Sequence, residues 1–433
     1  MNLHSKNRFI HIGIKMILGS VLLILGLGKI YFSKDKIITG DGRFYFAQVR
    51  SVLFDYDLDF ENDLKMYDPF NKNSKTLRKN VKTGMVDNKY PIGSALLWSP
   101  FILLAKLISS DHTGYGYIYQ FMLLLASICY FMASTILIQK WLNQALKVDI
   151  AYVYIFLYTS ATTAFYYSFA EPSMSHIPSL FTVSLYLYVS SKFFGKHKKL
   201  GASLLIGFAA ALMILTRNQN ALFLIFSLAD FVHSFDRNRR NSIQWAFLSA
   251  GICILFLVPQ FYYWKIIYGE YLLYSYKGES FKYLNSPKFA EVLFSRVSGL
   301  IYWHPIHLIS VIGLITILFK KINLLNVLIF LSFILQLYIF SSWECWWLGD
   351  SFGYRGLANC IPLLAYGFFA FWYALNNSLN IQLIFGILIV AVFFNLILSL
   401  LYAAGLIPHN EAFYYSDLLT AFVELFRKIN LIQ

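Results

Sequence analysis

Apolar runs of roughly twenty residues recur along the whole chain, and the polar gaps between them differ in kind. The runs fall at 12–32, 115–138, 149–167, 175–193, 200–215, 220–233, 242–264, 300–319, 322–342, 357–375 and 381–403. Crossing a bilayer as a helix takes ~20 apolar residues. The pattern therefore predicts an all-α, polytopic transmembrane protein with about eleven spans. One further run, 92–108 (IGSALLWSPFILLAKLI), is divided by Pro100 into two short pieces. It is expected to lie along the outer interface as an amphipathic or re-entrant helix. The first run follows Lys6 and Arg8 and reads as a retained anchor with a cytoplasmic N-terminus.

The gaps alternate in charge. Lys140 and Lys147 mark one basic gap, and Lys192, Lys196, Lys198 and Lys199 mark the next. Arg237, Arg239 and Arg240 mark a third, and Lys320 and Lys321 a fourth. Short loops rich in Lys and Arg stay cytoplasmic. That orients the chain as a multi-pass plasma (inner) membrane protein whose outer side carries 33–91, 168–174, 216–219, 265–299, 343–356 and the tail after 404. The net charge of +14 thus reports topology rather than nucleic-acid binding. Composition agrees, since 58% of residues are hydrophobic and 13% charged. Soluble domains run at ~45–50% and ~25%. Cys129, Cys253, Cys345 and Cys360 have no metal-site spacing. No phosphate-binding loop, dinucleotide turn, zinc-protease helix or nucleophile elbow occurs. No paired, interrupted half-helices suggest an inverted-repeat transporter.

Nearly every distinctive polar motif lies in an outer loop. Asp41 sits between two glycines in TGDGRFY, as a helix N-cap or as a general base that a substrate can approach closely. In DYDLDFEND, Asp55, Asp57 and Asp59 have the first spacings of a calcium loop. Phe60 and Met66 replace the glycine and glutamate such a loop needs, so the run reads as a polar, solvated loop with a divalent-metal role left open. FAEPSMSHIP presents Glu171 and His176. LTRNQNA presents Arg217, a guanidinium able to hold phosphate or to snorkel to the interface. SSWECWWLGDSFGYRG sets Asp350 and Arg355 beside tryptophans. The loop 265–299 adds Lys277 among tyrosines. Acids on this face meet neither ATP nor nucleotide sugars, so group transfer there requires a donor delivered through the membrane.

Taken together, GDGRFYFAQVRSVL, DYDLDF, NKYPIGSALLWSPF, FAEPSMSH, LTRNQN, PQFYYWKIIYG and WWLGDSFGYR resemble the GT-C superfamily of integral-membrane glycosyltransferases. The resemblance is to the bacterial relatives of protein O-mannosyltransferases and lipid A aminoarabinose transferases. It implies a catalytic module over 1–375 and a C-terminal span with an outer tail over 376–433. It implies a polyprenyl-phosphate sugar donor, a lipid, glycan or protein acceptor, membrane lipids as surroundings, and no nucleic acid. Asp41 matches the position of the family's first-loop acid, as general base. Arg217 or Arg355 would stabilise the leaving phosphate, with Lys277 a further substrate-binding residue, and Glu171, His176 and Asp350 would position the sugar or acceptor. The family's acid pair is absent, because Gly42 follows Asp41. A divalent metal is compatible with the sequence but not required by it. A glycolipid transporter or flippase, and a non-catalytic envelope-assembly subunit, would share these features; only a transferase releases polyprenyl phosphate.

Overall fold

The structure is a computed structural model that describes residues 15, 17–29, 37–67, 77–196, 199–276, 278–376 and 381–428. Lys277, Lys198 and the ends of the 12–32 run lie outside them. The described residues are helical, with one isolated bridge between Lys79 and Val86. The helices in chain order are α1 (Ile17–Lys29), α2 (Gly42–Arg50), α3 (Glu61–Tyr67), α4 (Gly93–Ile108), α5 (Tyr117–Leu146) and α6 (Tyr152–Ser160). Next come α7 (Thr163–Phe169), α8 (His176–Phe193), α9 (Leu200–Thr216), α10 (Ile225–Phe235), α11 (Arg239–Tyr268) and α12 (Phe289–Phe294). The series ends with α13 (Leu300–Trp303), α14 (Ile306–Lys320), α15 (Leu324–Ser342), α16 (Ile361–Asn376), α17 (Ile381–Ala403) and α18 (Leu418–Lys428). Among the described residues five helical segments are long and apolar enough to cross a membrane: α5, α11, α15, Arg355–Ala374 and α17. Helices α1, α4, α9 and α14 are apolar but shorter.

The chain forms two compact units, Met1–Ser134 with Tyr167–Gly278, and Thr135–Tyr166 with Glu279–Gln433. In the first unit α9 and α11 run parallel. Ser249 Oγ donates to Ser203 O at 3.1 Å, and one turn or two further on Phe208 meets Phe256 edge to face at 4.9 Å. The 17 residues of α9 span ~26 Å at 1.5 Å each, close to a hydrocarbon core of ~30 Å. The 30 residues of α11 reach ~45 Å, well beyond it. Its last turns use that excess. Tyr263, Trp264, Ile267 and Tyr268 form a core with Ala47, Phe60, Leu64 and Val86, which fixes residues 58–64 and 77–92 against α2.

Helix α4 is continuous across Pro100, so the division expected there does not occur. Proline removes the N–H that would bond Leu96 O; Ser99 Oγ takes that carbonyl instead, at 2.8 Å. The helix packs on α2, α8 and α9.

In the second unit α14 packs on α15 and α16, and α17 on α6. The apolar run 149–167 is not one helix: it breaks at Ala161–Thr162 between α6 and α7. Thr162 Oγ1 donates to Thr159 O at 2.7 Å, and Asn395 Nδ2 donates to Ser160 O and Thr162 O at 2.8 and 2.9 Å. A side-chain amide from α17 thus satisfies the carbonyls released by the break, which an apolar surrounding requires. All four cysteines are free.

Candidate active site

Four of the residues singled out from the sequence fall on the first unit: Asp41, Glu171, His176 and Arg217. Two short-side-chain contacts bring their loops together. A Cβ on Gly42 would lie 2.0 Å from Ser173 Oγ and 3.0 Å from Ser173 O, so only glycine lets the TGDG turn seat on the EPSMS turn. Ser173 fastens the same junction, its Oγ donating to Ile37 O at 3.1 Å and accepting from Thr39 N at 3.4 Å. A Cβ on Gly93 would meet Leu215 O and Thr216 N at 2.4 Å, so the start of α4 presses on the end of α9, one residue before Arg217.

Polar contacts close the circuit between these junctions. The Asp41 carboxylate lies close enough to the Tyr90 phenol to act on its ionisation. His176 is buried; its Nδ1 lies 3.4 Å from Arg217 Nη1, and its ring packs on Tyr167 at 4.6 Å. A guanidinium can only donate, so Nδ1 accepts and the ring proton sits on Nε2. The Gln219 amide, with its oxygen toward the guanidinium, accepts from Arg217 Nε at 2.9 Å and Nη2 at 3.2 Å. Asn220 fixes this turn, its Nδ2 donating to Ser179 Oγ and Met213 O, both at 2.9 Å. Read round, Asp41 joins Tyr90, three residues from Gly93, which abuts Thr216 beside Arg217. Arg217 joins His176, three residues from Ser173, which abuts Gly42 beside Asp41. A half-buried carboxylate, a cation and an imidazole therefore share one end of α9, and Glu171 opens the turn that holds Ser173.

Sequence reasoning missed Tyr90 as a site residue. Burial first, then the Asp41 carboxylate, pushes its phenol well above the ordinary 10. Gln48 Nε2 donates to Tyr90 O at 2.8 Å, and Asn88 Nδ2 to Phe44 O at 2.9 Å, so α2 carries both Asp41 and its partner. Tyr45, Tyr90 and Tyr276 form an aromatic wall, with ring centroids 4.5 and 6.3 Å apart, and Lys89 Nζ lies 4.7 Å over the Tyr276 ring. The available signal was a tyrosine between a lysine and a proline in a polar loop just ahead of an apolar helix.

The second unit holds Asp350 and Arg355. Asp350 is exposed, and Arg355 Nη2 donates to Leu348 O at 2.7 Å within its own loop. Phe352 stacks on Tyr166 at 4.4 Å, and Thr163 Oγ1 donates to Phe352 O at 2.7 Å, holding that loop against α7.

The acid run 55–63 works mainly on itself. Asp57 Oδ1 accepts from Ser51 Oγ at 2.6 Å and from Asp59 N at 3.1 Å, and Asp59 Oδ1 accepts from Glu61 N at 3.1 Å. Lys65 and Lys79, 2.8 and 2.6 Å from Glu61, draw its carboxyl down to about 2. Among the described residues no three His, Cys, Asp or Glu gather into a group able to hold a metal ion. Asp63 departs from the expected solvated loop. It is fully buried, with Tyr115 OH donating to its Oδ1 at 2.8 Å and Arg50 Nη1 at 3.4 Å. Burial outweighs both partners and raises its carboxyl to about 6. A carboxyl with a raised native pKa adds stability below about 4 that is lost as pH climbs through about 6. Asp63→Asn should therefore remove a fall in thermal midpoint between pH 4 and 7, an effect of up to about 3 kcal/mol. An unchanged pH profile in the variant would refute this.

The Gly42 contact yields a second expectation. Gly42→Ala must move Asp41 or Ser173; were Asp41 a reacting group, a displacement of about 1 Å there would cost ~10²-fold in rate. Adding Ser173→Gly removes the side-chain part of the clash and should restore some activity. No recovery would place the damage elsewhere in the loop.

The chain is an all-α, multi-pass membrane protein. No family model matches it, and no curated protein does. Among solved structures it is similar to the archaeal oligosaccharyltransferase AglB from Archaeoglobus fulgidus, in complex with an inhibitory peptide and a dolichol-phosphate. The TM-score is 0.58 at 10% identity, over 91% of this chain and 56% of that one. It is also similar to the Archaeoglobus fulgidus oligosaccharyltransferase in the apo form, with a TM-score of 0.55 at 11% identity over 90% of this chain and 55% of that one. The chain spans little more than half the length of these structures, and the likeness is one of fold.

Proposed function

We propose that the protein is an inverting GT-C glycosyltransferase that moves a sugar from a polyprenyl-phosphate donor to an acceptor hydroxyl at the outer face of the membrane. The observation that carries this reading is the contact circuit at the end of α9. It sets Asp41 and Arg217 at one helix end, on a fold like that of an oligosaccharyltransferase. The length of α9 puts Arg217 near one membrane boundary when the basic residues at Lys199 lie at the other. Dolichol-phosphate in the AglB complex supports a lipid-phosphate donor.

In the proposed reaction the Asp41 carboxylate takes the proton from the acceptor hydroxyl. The oxygen attacks the anomeric carbon as the bond to phosphate breaks. Polyprenyl phosphate leaves with the bonding electrons, and Arg217 balances its charge. Tyr90 orients Asp41. The aromatic wall of Tyr45, Tyr90 and Tyr276 offers flat apolar faces to a sugar ring, and Glu171 and His176 offer polar contacts to its hydroxyls. Asp350 is proposed as a sugar or acceptor contact, Arg355 as the alternative to Arg217 for the leaving phosphate, and Lys277 as a further substrate-binding residue. The catalytic module is residues 1–375, and 376–433 adds a span and an outer tail. A divalent metal remains compatible with this scheme and is assigned no step.

The test supplies purified protein with lipid-linked sugars of several kinds and follows free polyprenyl phosphate and product by mass spectrometry. Turnover dependent on an added hydroxyl acceptor supports the transferase. Movement of intact glycolipid across a vesicle membrane without release of polyprenyl phosphate would replace it with a flippase.

A further inference from the structure

The opposite end of α9 carries a second candidate site that this chemistry does not use. An open-sided cavity of about 530 Å³ lies there, lined by Leu200 and Ser203 of α9 and by Ile243, Gln244, Phe247 and Leu248 of α11. Its walls are mixed. Leu200, Phe247 and Leu248 are 60%, 76% and 44% exposed, unusual for such side chains unless they face lipid. Ser203 is 1% exposed and its Oγ has no hydrogen-bond partner. A buried hydroxyl left unpaired costs about 1–3 kcal/mol, which a ligand oxygen in the cavity would recover.

The charge around the cavity is one-sided. Lys199, Arg237, Arg239 and Arg240 are all exposed there. Of the nearby acids, Asp230 is turned inward, accepting from Gly195 N at 2.9 Å and Ser234 Oγ at 3.1 Å, and Asp236 is exposed. Because α9 and α11 are parallel, both N-termini point to this same end. Their aligned dipoles add positive potential where the cations already cluster. Cations and helix N-termini select a phosphate, and an apolar slot beneath them selects an acyl chain.

We propose that the basic end of the α9–α11 pair binds one anionic phospholipid. Its phosphate lies among Lys199, Arg239, Arg240 and the two helix N-termini, with an ester oxygen toward Ser203 and an acyl chain along Leu200, Phe247 and Leu248. The site is independent of the reaction at Arg217. Its role is to fix the parallel pair whose far end carries the arginine.

Native mass spectrometry of the purified full chain tests this, with phosphatidylglycerol or phosphatidylcholine titrated in turn. One phosphatidylglycerol should stay bound under activation that strips phosphatidylcholine. Ser203→Leu fills the cavity without changing charge and should abolish that retention. Leu200→Trp closes it from a more exposed position on the same helix and serves if Ser203→Leu does not fold. Arg239→Gln with Arg240→Gln should weaken binding about tenfold or more, since each such cation near a lipid surface contributes ~1 kcal/mol. Equal retention of the two lipids would overturn the proposal. So would wild-type binding by both cavity-filling variants, which would mean adsorption to the basic surface. Displacement of phosphatidylglycerol by an equal concentration of inorganic phosphate would mean a free-phosphate site instead of a lipid site.

Discussion

Asp41→Asn is expected to leave the protein folded and to lower turnover of a lipid-linked sugar by ~10²–10⁴, the usual cost of losing a general base. The fold should survive because Asp41 holds the N-cap position of α2, as the sequence suggested, but makes no side-chain capping bond there. Its turn is held by backbone bonds, Gly42 N to Thr39 O at 2.9 Å and Phe44 N to Asp41 O at 3.1 Å. The amide has the shape of the carboxylate and fits beside Tyr90 in the same space. What it lacks is a basic oxygen to accept a proton. Donor affinity should therefore be nearly unchanged while kcat falls. The measurement is single-turnover release of polyprenyl phosphate by the purified variant, with α-helical content checked in parallel. Turnover near the wild-type rate would remove Asp41 from the mechanism and shift attention to Glu171. Asp41→Glu is the useful companion: it retains the base but moves it by one methylene, against a tyrosine fixed by Gln48 and Asn88. Activity intermediate between aspartate and asparagine is expected.

Local patterns in the sequence revealed the helical class and the polar turns. Periodicity and loop charge describe neighbours in the chain, so the runs at 175–193, 200–215 and 381–403 reappear as α8, α9 and α17. What escaped was set by residues far apart. The break inside 149–167 is stabilised by Asn395, more than two hundred residues later. Pro100 promises a division that Ser99 prevents by taking one carbonyl. The acids after Asp55 look like a solvated run, yet Asp63 faces inward because Phe60 and Leu64 on either side enter the core under α11. The candidate site shows the same limit. Glycines on both sides of Asp41 announced a close approach, but not that Ser173 makes it, nor that Tyr90 is the neighbouring phenol. Gly93 reads as the ordinary start of an apolar helix until Thr216 is seen against it.

Arg217 is the second residue whose loss should be severe. Removing one electrostatic stabiliser of a leaving group costs ~10²–10³ in rate. Arg217→Ala is expected to fall in that range and to affect donor use more than acceptor use. The alternative is an arginine that merely snorkels to the interface, and the geometry argues against it. A snorkelling side chain seeks water, whereas this one is drawn to Gln219 at 2.9 and 3.2 Å and to buried His176 at 3.4 Å. Those contacts fix the plane of the guanidinium, as a group that meets a phosphate bidentately requires. Arg217→Lys retains the charge but cannot bridge Gln219 and His176 together, so its loss should be partial. His176→Gln should resemble the lysine variant, because it frees the guanidinium without removing it. Arg355→Ala provides the contrast: its Nη2 is committed to Leu348 O, and part of its effect should appear as lower thermal stability. The decisive experiment varies donor and acceptor concentrations separately for all four variants. A rise in donor KM with the acceptor KM unchanged would place Arg217 on the phosphate. If Arg217→Ala keeps the wild-type donor dependence, this arginine is an anchor, and the leaving group must be met by Arg355 or Lys277.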